Sequence, residues 1–303
     1  MRDAFTESDT RGAFAGHETF PLRLLWLKKA YNVAEDGLPS RTFQEPDAIG
    51  RFGVGKNMAM SIRFWALSAG VLEEYQGRLK PTEFGQLILS DKGLDPYLEE
   101  PATIWALHAH LAGQPLPSTT TYFAFSGLNL QEFDAATLVS ELEAVVAKRG
   151  WRATSGTLKR DVEVLLRGYV SRTDANEDAV EPLMAELGLI RETRSGGYFE
   201  FVRGPKPSLP DGVFAYALAR FWERRHHASP TLSVEQASYG PGSPGRIFKL
   251  GEDDVAARMS RVEAYTNEAW RFTDTAGLRQ IQKIKDIDLM SLLRSAYHPK
   301  GTA

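Results

Sequence analysis

The stretch from Lys56 to Thr82 constrains this chain most, because a segment of helical periodicity runs into a glycine and then a short basic ribbon. Projected at about 100° per residue, Met58, Ile62, Trp65, Ala66 and Ala69 fall on one arc and should face a core. Lys56 and Arg63, seven apart, lie nearly opposite that arc, with Asn57 toward its flank. Gly70 closes the helix as a C-terminal cap. Residues Glu73 to Lys80 have the size of a hairpin with a basic tip, and Thr82 opens another short helix. Upstream, Gly53-Val-Gly55 separates this helix from a shorter one beginning near Asp47. Helix, tight turn, helix, glycine stop and ribbon is the order of a winged helix-turn-helix.

Charge agrees with that order. The whole chain carries a net −3, from 36 Lys and Arg against 39 Asp and Glu, so it is not built to coat nucleic acid indiscriminately. Between Ala48 and Thr82, however, five basic residues (Arg51, Lys56, Arg63, Arg78 and Lys80) stand against two acidic ones, Glu73 and Glu74. A local cationic ridge in an acidic chain fits contact with a sugar–phosphate backbone.

The first unit, residues 1–117, is predicted to open with a helix capped by Thr19, with Pro21 in its first turn. A further helix is expected over Asp95–His110, followed by a Pro- and Thr-rich linker over Gly113–Ser126. A second helical or winged unit, 118–204, has helices near Asp134–Lys148 and Thr157–Tyr169, a short helix over Val180–Leu187 ending at Gly188, and a strand pair around Gly196-Gly197. The last unit, 205–303, reads as helical, and its final helix carries Leu278, Ile281, Ile284, Leu289, Leu292 and Ala296. The fold class is therefore mainly α with small β-wings. No repeat of fixed period is visible.

Composition excludes several chemistries. With no cysteine, thiolate metal sites, disulfides and persulfide carriage are ruled out. No apolar run approaches the ~18 residues needed to span a bilayer, and the amino-terminal residues lack an apolar signal core, so a cytoplasmic protein with no membrane partner is expected. Gly50-Arg-Phe-Gly-Val-Gly55-Lys56-Asn57 imitates a phosphate-binding loop but puts Asn where Ser or Thr must hold magnesium. No nucleotide cofactor is expected. A glycine-rich helix start can still receive one backbone phosphate. Asp274-Thr-Ala-Gly277 reads as a helix start, and the loop Gly240–Gly245 sets Arg246 toward a phosphate or a partner.

His17-Glu18 is the candidate catalytic pair, since a histidine beside a carboxylate suits acid–base or metal-assisted phosphodiester chemistry with a divalent ion, Mg2+ or Mn2+. Adjacent residues on an extended segment point to opposite faces, which favours a cap and a solvated histidine instead. His226-His227, at the end of an Arg-rich helix, lacks acidic partners for a metal, and His108 and His110, among Ala and Leu, read as core or rim histidines.

Three runs carry a family resemblance: Phe14-Ala-Gly-His17-Glu18-Thr-Phe-Pro-Leu-Arg23-Leu-Leu-Trp-Leu-Lys28-Lys29, the stretch Arg51 to Trp65, and Asp95-Pro-Tyr-Leu-Glu99. They resemble the SspB-like family of single-stranded DNA phosphorothioation systems, formerly listed as a domain of unknown function. The resemblance continues through Thr157-Leu-Lys-Arg-Asp161 and Tyr239–Gly245 to Leu278. It implies a DNA-binding, DNA-nicking component of a bacterial modification and anti-phage defence system. It also implies a PAPS reductase-like sulfur-transfer subunit and an ATPase subunit as partners. The residues here that match its motifs are His17, Glu18, Arg23, Lys28, Gly53, Gly55, Lys56, Asn57 and Arg63. Lacking any thiol, the chain must handle DNA rather than sulfur, either as a nickase or as a non-catalytic docking or scaffold subunit. Paired winged helices commonly read two half-sites, so a homodimer through the C-terminal unit is a further expectation.

Overall fold

The computed structural model describes residues 4–6, 9, 11–35, 37–45, 50, 52–171, 182–194 and 196–297. The helix expected near Asp47, the start of the one near Val180 and the side chain of Arg51 fall outside them. The chain is mainly helical, with three small antiparallel sheets of three strands each.

The first stretch runs α1 (Trp26–Ala34), β1 (Leu38–Pro39), a 3-10 turn over Ser40–Gln44, α2 (Lys56–Ser68), β2 (Leu72–Tyr75), β3 (Arg78–Pro81) and α3 (Glu83–Leu89). In α2 the arc of Ala59, Ile62, Trp65 and Ala66 is buried, as its periodicity requires. The helix ends because Gly70 turns left-handed at φ +71, at a spot where a Cβ would stand 2.1 Å from Nδ1 of His110. β2 and β3 pair from Leu72 against Pro81 to Tyr75 against Arg78, and β1 adds to the other side of β3. Thr82 then caps α3, its hydroxyl accepting from the Gly85 amide at 2.9 Å.

The second stretch holds α4 (Pro101–Gly113), α5 (Thr119–Ser126), β4 (Glu132–Asp134), α6 (Ala135–Arg149), α7 (Ser155–Tyr169), a 3-10 turn over Leu183–Leu187, β5 (Ile190–Glu192) and β6 (Tyr198–Phe201). The third holds α8 (Asp211–His226), β7 (Thr231–Ser233), α9 (Val234–Tyr239), α10 (Pro244–Ile247), α11 (Glu252–Met259), α12 (Val262–Thr266), β8 (Trp270–Thr275), β9 (Leu278–Lys283) and α13 (Leu289–Tyr297). All three sheets share one strand order: β1-β3-β2, β4-β6-β5 and β7-β9-β8. In each, a strand leads into helical segments and then a hairpin whose second strand inserts between the other two. The repeat is topological, and no sequence period betrays it.

At the centre lies α4, buried from Ala102 to Ala112 on every face. A helix with no solvent side must be wrapped, and α5, α8 and α10 pack on it. Two histidines of α4 itself bond to its surroundings. The Nδ1 of His108 meets the hydroxyl of Tyr169 at 2.7 Å and its Nε2 meets the carbonyl of Ile247 at 2.8 Å. The Nε2 of His110 meets the hydroxyl of Tyr216 at 2.8 Å. One contiguous apolar core runs through all three stretches.

Several sequence expectations are corrected. The first helix begins at Trp26, not Thr19, because Thr19 is left-handed (φ 68) and gives its amide to Nδ1 of His17 instead of capping. Asp95 starts no helix. It gathers the amides of Glu99 and Glu100 and the hydroxyl of Thr103, and α4 begins at Pro101. The supposed linker 113–126 contains the wholly buried helix α5, whose threonine hydroxyls bond inside the fold, as Thr119 does to the Pro115 carbonyl at 2.8 Å. It is Thr154 rather than Thr157 that caps α7.

The C-terminal stretch is not purely helical. Leu278 and Ile281 lie on β9, and Ile284 follows it outside any helix. Their three-residue spacing imitated a helix, but Ala276 and Gly277, both left-handed at φ 53 and 80, form the tight turn that favours a hairpin. Asp274 accordingly lies on a strand, not at a helix start.

Candidate nucleic-acid interface

The α2 amino terminus is open. Gly55 supplies no side-chain cap, Lys56 and Asn57 are exposed, and nothing lies within 4 Å of where a Cβ would stand on Gly50, Gly53 or Gly55. The free amides of a first helical turn, with a lysine beside them, form a positive end that a phosphate oxygen can approach.

The rest of the expected ridge is less cationic than the sequence count implied. Arg63 reaches Glu74 with its guanidinium at 2.5 Å and the Ser40 hydroxyl at 3.1 Å. Lys80 pairs with Glu73 at 3.0 Å and lies over the ring of Tyr75. The two acids of the hairpin thus answer two of the five expected cations. Arg78 is exposed and its guanidinium donates to the Gly37 carbonyl. Lys28 points inward, its ammonium bonded to the Leu89 carbonyl at 2.8 Å and to Asp91 at 3.1 Å, so it serves the packing of α1 on α3. Arg23 is exposed over the Trp26 ring. Arg246, expected to meet a phosphate or partner, instead binds the Ser126 carbonyl and the Asn129 side chain.

The residues from Phe14 to Leu25 form a strap rather than a helix. The strap turns on left-handed Ala15, Glu18 and Thr19. His17 is buried, with Nε2 at 3.0 Å from a carboxylate oxygen of Asp161 on α7 and Nδ1 accepting from the Thr19 amide at 3.1 Å. That acceptance fixes the tautomer, because only the Nε2-protonated ring leaves Nδ1 a lone pair. Both nitrogens are therefore spent on the fold. Asp161 also accepts from the Ala15 amide at 2.9 Å and the Thr120 hydroxyl at 3.0 Å. Glu18 is half-buried, with no side-chain hydrogen bond or ion pair among the described residues, and the structure does not bring it together with His17 at one centre.

Asp161 was missed by sequence reasoning, yet it carried a signal. On the wheel of α7 it falls among Leu158, Val162 and Leu165, and a carboxylate on a buried arc needs partners. Among the described residues no group of three or more His, Asp or Glu side chains is placed to hold a metal ion. Elsewhere, a groove of about 1080 Å³ between α8, α12 and α13 is lined by charges of both signs, including Asp211, Arg261 and Arg294. It lies apart from all the residues named above.

The family model described as "Protein of unknown function (DUF4007)" matches residues 14–297. Two solved structures, described as SspB and as magnesium ion-bound SspB, resemble this chain at a TM-score of 0.83 with 28% identity. The match covers 94% of this chain and 86% of each of those. No curated protein matches the sequence. No helix among the described residues is long and apolar enough to cross a membrane.

Proposed function

We propose that this chain, which belongs to the family of proteins of unknown function DUF4007, docks on duplex DNA as a non-catalytic component of a phosphorothioate modification system. The likeness to SspB supports the system, and a DNA-handling subunit is what a thiol-free member of it can be. The order α1, β1, α2, β2, β3 supports a winged helix-turn-helix, with α2 in the position of the recognition helix and the β2–β3 hairpin as wing.

The observation that carries the reading is the open start of α2, where Lys56 and Asn57 stand exposed on an uncapped turn. Arg78 on the wing adds a second cation, with no acidic partner among the described residues. The pairs Arg63–Glu74 and Lys80–Glu73 are partly solvated, and such pairs are worth only about 0–1 kcal/mol, so a phosphate can compete for these cations.

Lys56→Ala is expected to weaken binding to every duplex sequence alike and to lower the slope of log affinity against log salt by about one, the signature of one lost phosphate contact. Fluorescence anisotropy between 50 and 200 mM salt reads both. A sequence-selective loss would assign Lys56 to base reading instead, and no change at all would remove α2 from the interface.

A hydrolytic role is the second reading, favoured by the magnesium ion described for one of the SspB structures. The engaged nitrogens of His17 and the absence of a converging ligand set among the described residues do not fit a protein-held divalent ion. Supercoiled plasmid incubated with the protein and Mg2+ or Mn2+ separates the two. Open-circular product that Glu18→Ala abolishes would replace docking with nicking.

A further inference from the structure

We propose that α7 is a second duplex-contacting helix, set beside α2 by the strap, so that the chain grips the sugar–phosphate backbone at two places. The inference rests on the DNA-docking reading and extends it to a surface outside the first repeat.

Topology supplies the first argument. In the sheet β4-β6-β5, as in β1-β3-β2, helical segments separate the first strand from the hairpin. Helix α7 is the last α-helix before the hairpin of the second repeat, as α2 is in the first, with the 3-10 turn over Leu183–Leu187 between α7 and β5.

Charge supplies the second. On α7 the residues Leu158, Val162, Leu165 and Tyr169 are buried, while Lys159, Arg160, Glu163 and Arg167 share the exposed side, at spacings of three and four. Lys159 and Arg160 have no ion-pair partner among the described residues, and exposed Arg152 stands just before the helix, likewise unpaired. Glu163 is the one acid on this stripe. The contrast with the first repeat is direct, because there the hairpin acids hold Arg63 and Lys80. In the third repeat Arg279 on the hairpin pairs with Glu252 at 2.6 Å and Lys283 lies over Trp222.

The strap supplies the third. It bonds α2 through the Trp65 ring nitrogen, which donates to the Phe20 carbonyl at 2.9 Å, and it bonds α7 through His17–Asp161. Arg167, at the end of the basic stripe, donates to the Thr19 carbonyl of the same strap. Two contact helices tied to one short segment keep a fixed separation, so binding at one does not leave the other to be ordered.

The test is anisotropy titration of a labelled 30-base-pair duplex with the full chain, comparing wild type with Lys159→Ala/Arg160→Ala and with Glu163→Gln. The double variant should bind on the order of tenfold more weakly at 100 mM salt and lose about two units of salt slope. Glu163→Gln should tighten binding a few-fold, because it removes the one acid facing the phosphates, and a purely structural role for α7 gives no reason for such a gain. Unchanged circular-dichroism melts confirm that the surface changes leave the fold intact. If Lys56→Ala weakens binding while both α7 variants match wild type, the second contact is overturned and the first stands. If the double variant binds DNA normally but no longer holds an acidic protein partner of the system, the stripe belongs to that partner and the inference fails. If wild type does not retain duplex even at 50 mM salt, both readings fall together.

Discussion

Asp161→Ala will lower the unfolding free energy by about 3–5 kcal/mol, the range found when one member of a buried charged or hydrogen-bonded pair is removed. The reason is visible in its partners. Three donors converge on this carboxylate: the ring nitrogen of His17, the amide of Ala15 and the hydroxyl of Thr120. The His17 and Thr120 donors are buried, so deleting the acceptor leaves them unsatisfied at a cost of about 1–3 kcal/mol each, whereas the half-buried Ala15 amide can turn to water. The strap would lose its anchor on α7, although the Trp65–Phe20 bond to α2 remains. Asp161→Asn keeps one carbonyl acceptor and should recover a good part of the loss. His17→Ala and Asp161→Ala share a bond, so their costs should fall short of additive by about 0.5–3 kcal/mol. Urea denaturation of wild type, His17→Ala, Asp161→Ala and the double variant measures this directly. A cost below about 1 kcal/mol for Asp161→Ala would show that the strap is held by its other contacts, such as the Trp65–Phe20 bond and the Gly16 backbone against Phe64.

The parts of this fold that were legible in the sequence are those where a local rule met no tertiary competitor. Helix α2 is one, since its apolar arc, its glycine stop and the hairpin after it all depend on neighbours close in the chain. The strap was illegible for the opposite reason. Phe14–Leu25 has no periodicity of its own and takes its left-handed turns from contacts about 100 to 150 residues away, on Thr119 and Asp161. Helix α5 is similar, because a Thr- and Pro-rich stretch looks exposed until its hydroxyls find partners in the interior. At the proposed interface, sequence counting overstated the charge of the segment. Glu73 and Glu74 entered the sum as two negatives, whereas the hairpin aims them at Lys80 and Arg63 in particular. Lys249 is a further case, fully buried with no carboxylate partner among the described residues, its ammonium bonded to the Phe125 carbonyl at 2.9 Å and set 3.6 Å from the ring centre of Phe201. Its burial depends on a left-handed backbone at φ 55, which no propensity rule assigns to lysine.

The protein should lose stability steeply on mild acidification, and the central histidines are the cause. Burial pushes His108 down from an ordinary 6.5 to about 3, with the nearby Lys249 acting in the same direction and the Ile247 carbonyl opposing it. His110 is lowered well below the ordinary value by burial and by Arg220. Above pH 6.5 both are neutral in folded and unfolded chains and contribute no pH dependence. Below it the unfolded chain takes up protons that the folded core refuses, so stability rises with pH across this window and falls as pH drops. For His108 the penalty grows by about 1.4 kcal/mol per pH unit until pH nears 3, where the folded ring also protonates. Between pH 7.5 and 5 that amounts to about 2 kcal/mol from His108, and His110 adds a loss of the same sign. Carboxylates titrate lower, so the decisive comparison is with His108→Gln, whose amide can still donate to the Ile247 carbonyl and accept from the Tyr169 hydroxyl. Urea midpoints at the two pH values should show a drop smaller by about 2 kcal/mol in the variant than in wild type, even if the variant is less stable at both. Equal drops in the two proteins would mean that the core opens to admit the proton, and α4 would not be the dry centre that its burial indicates.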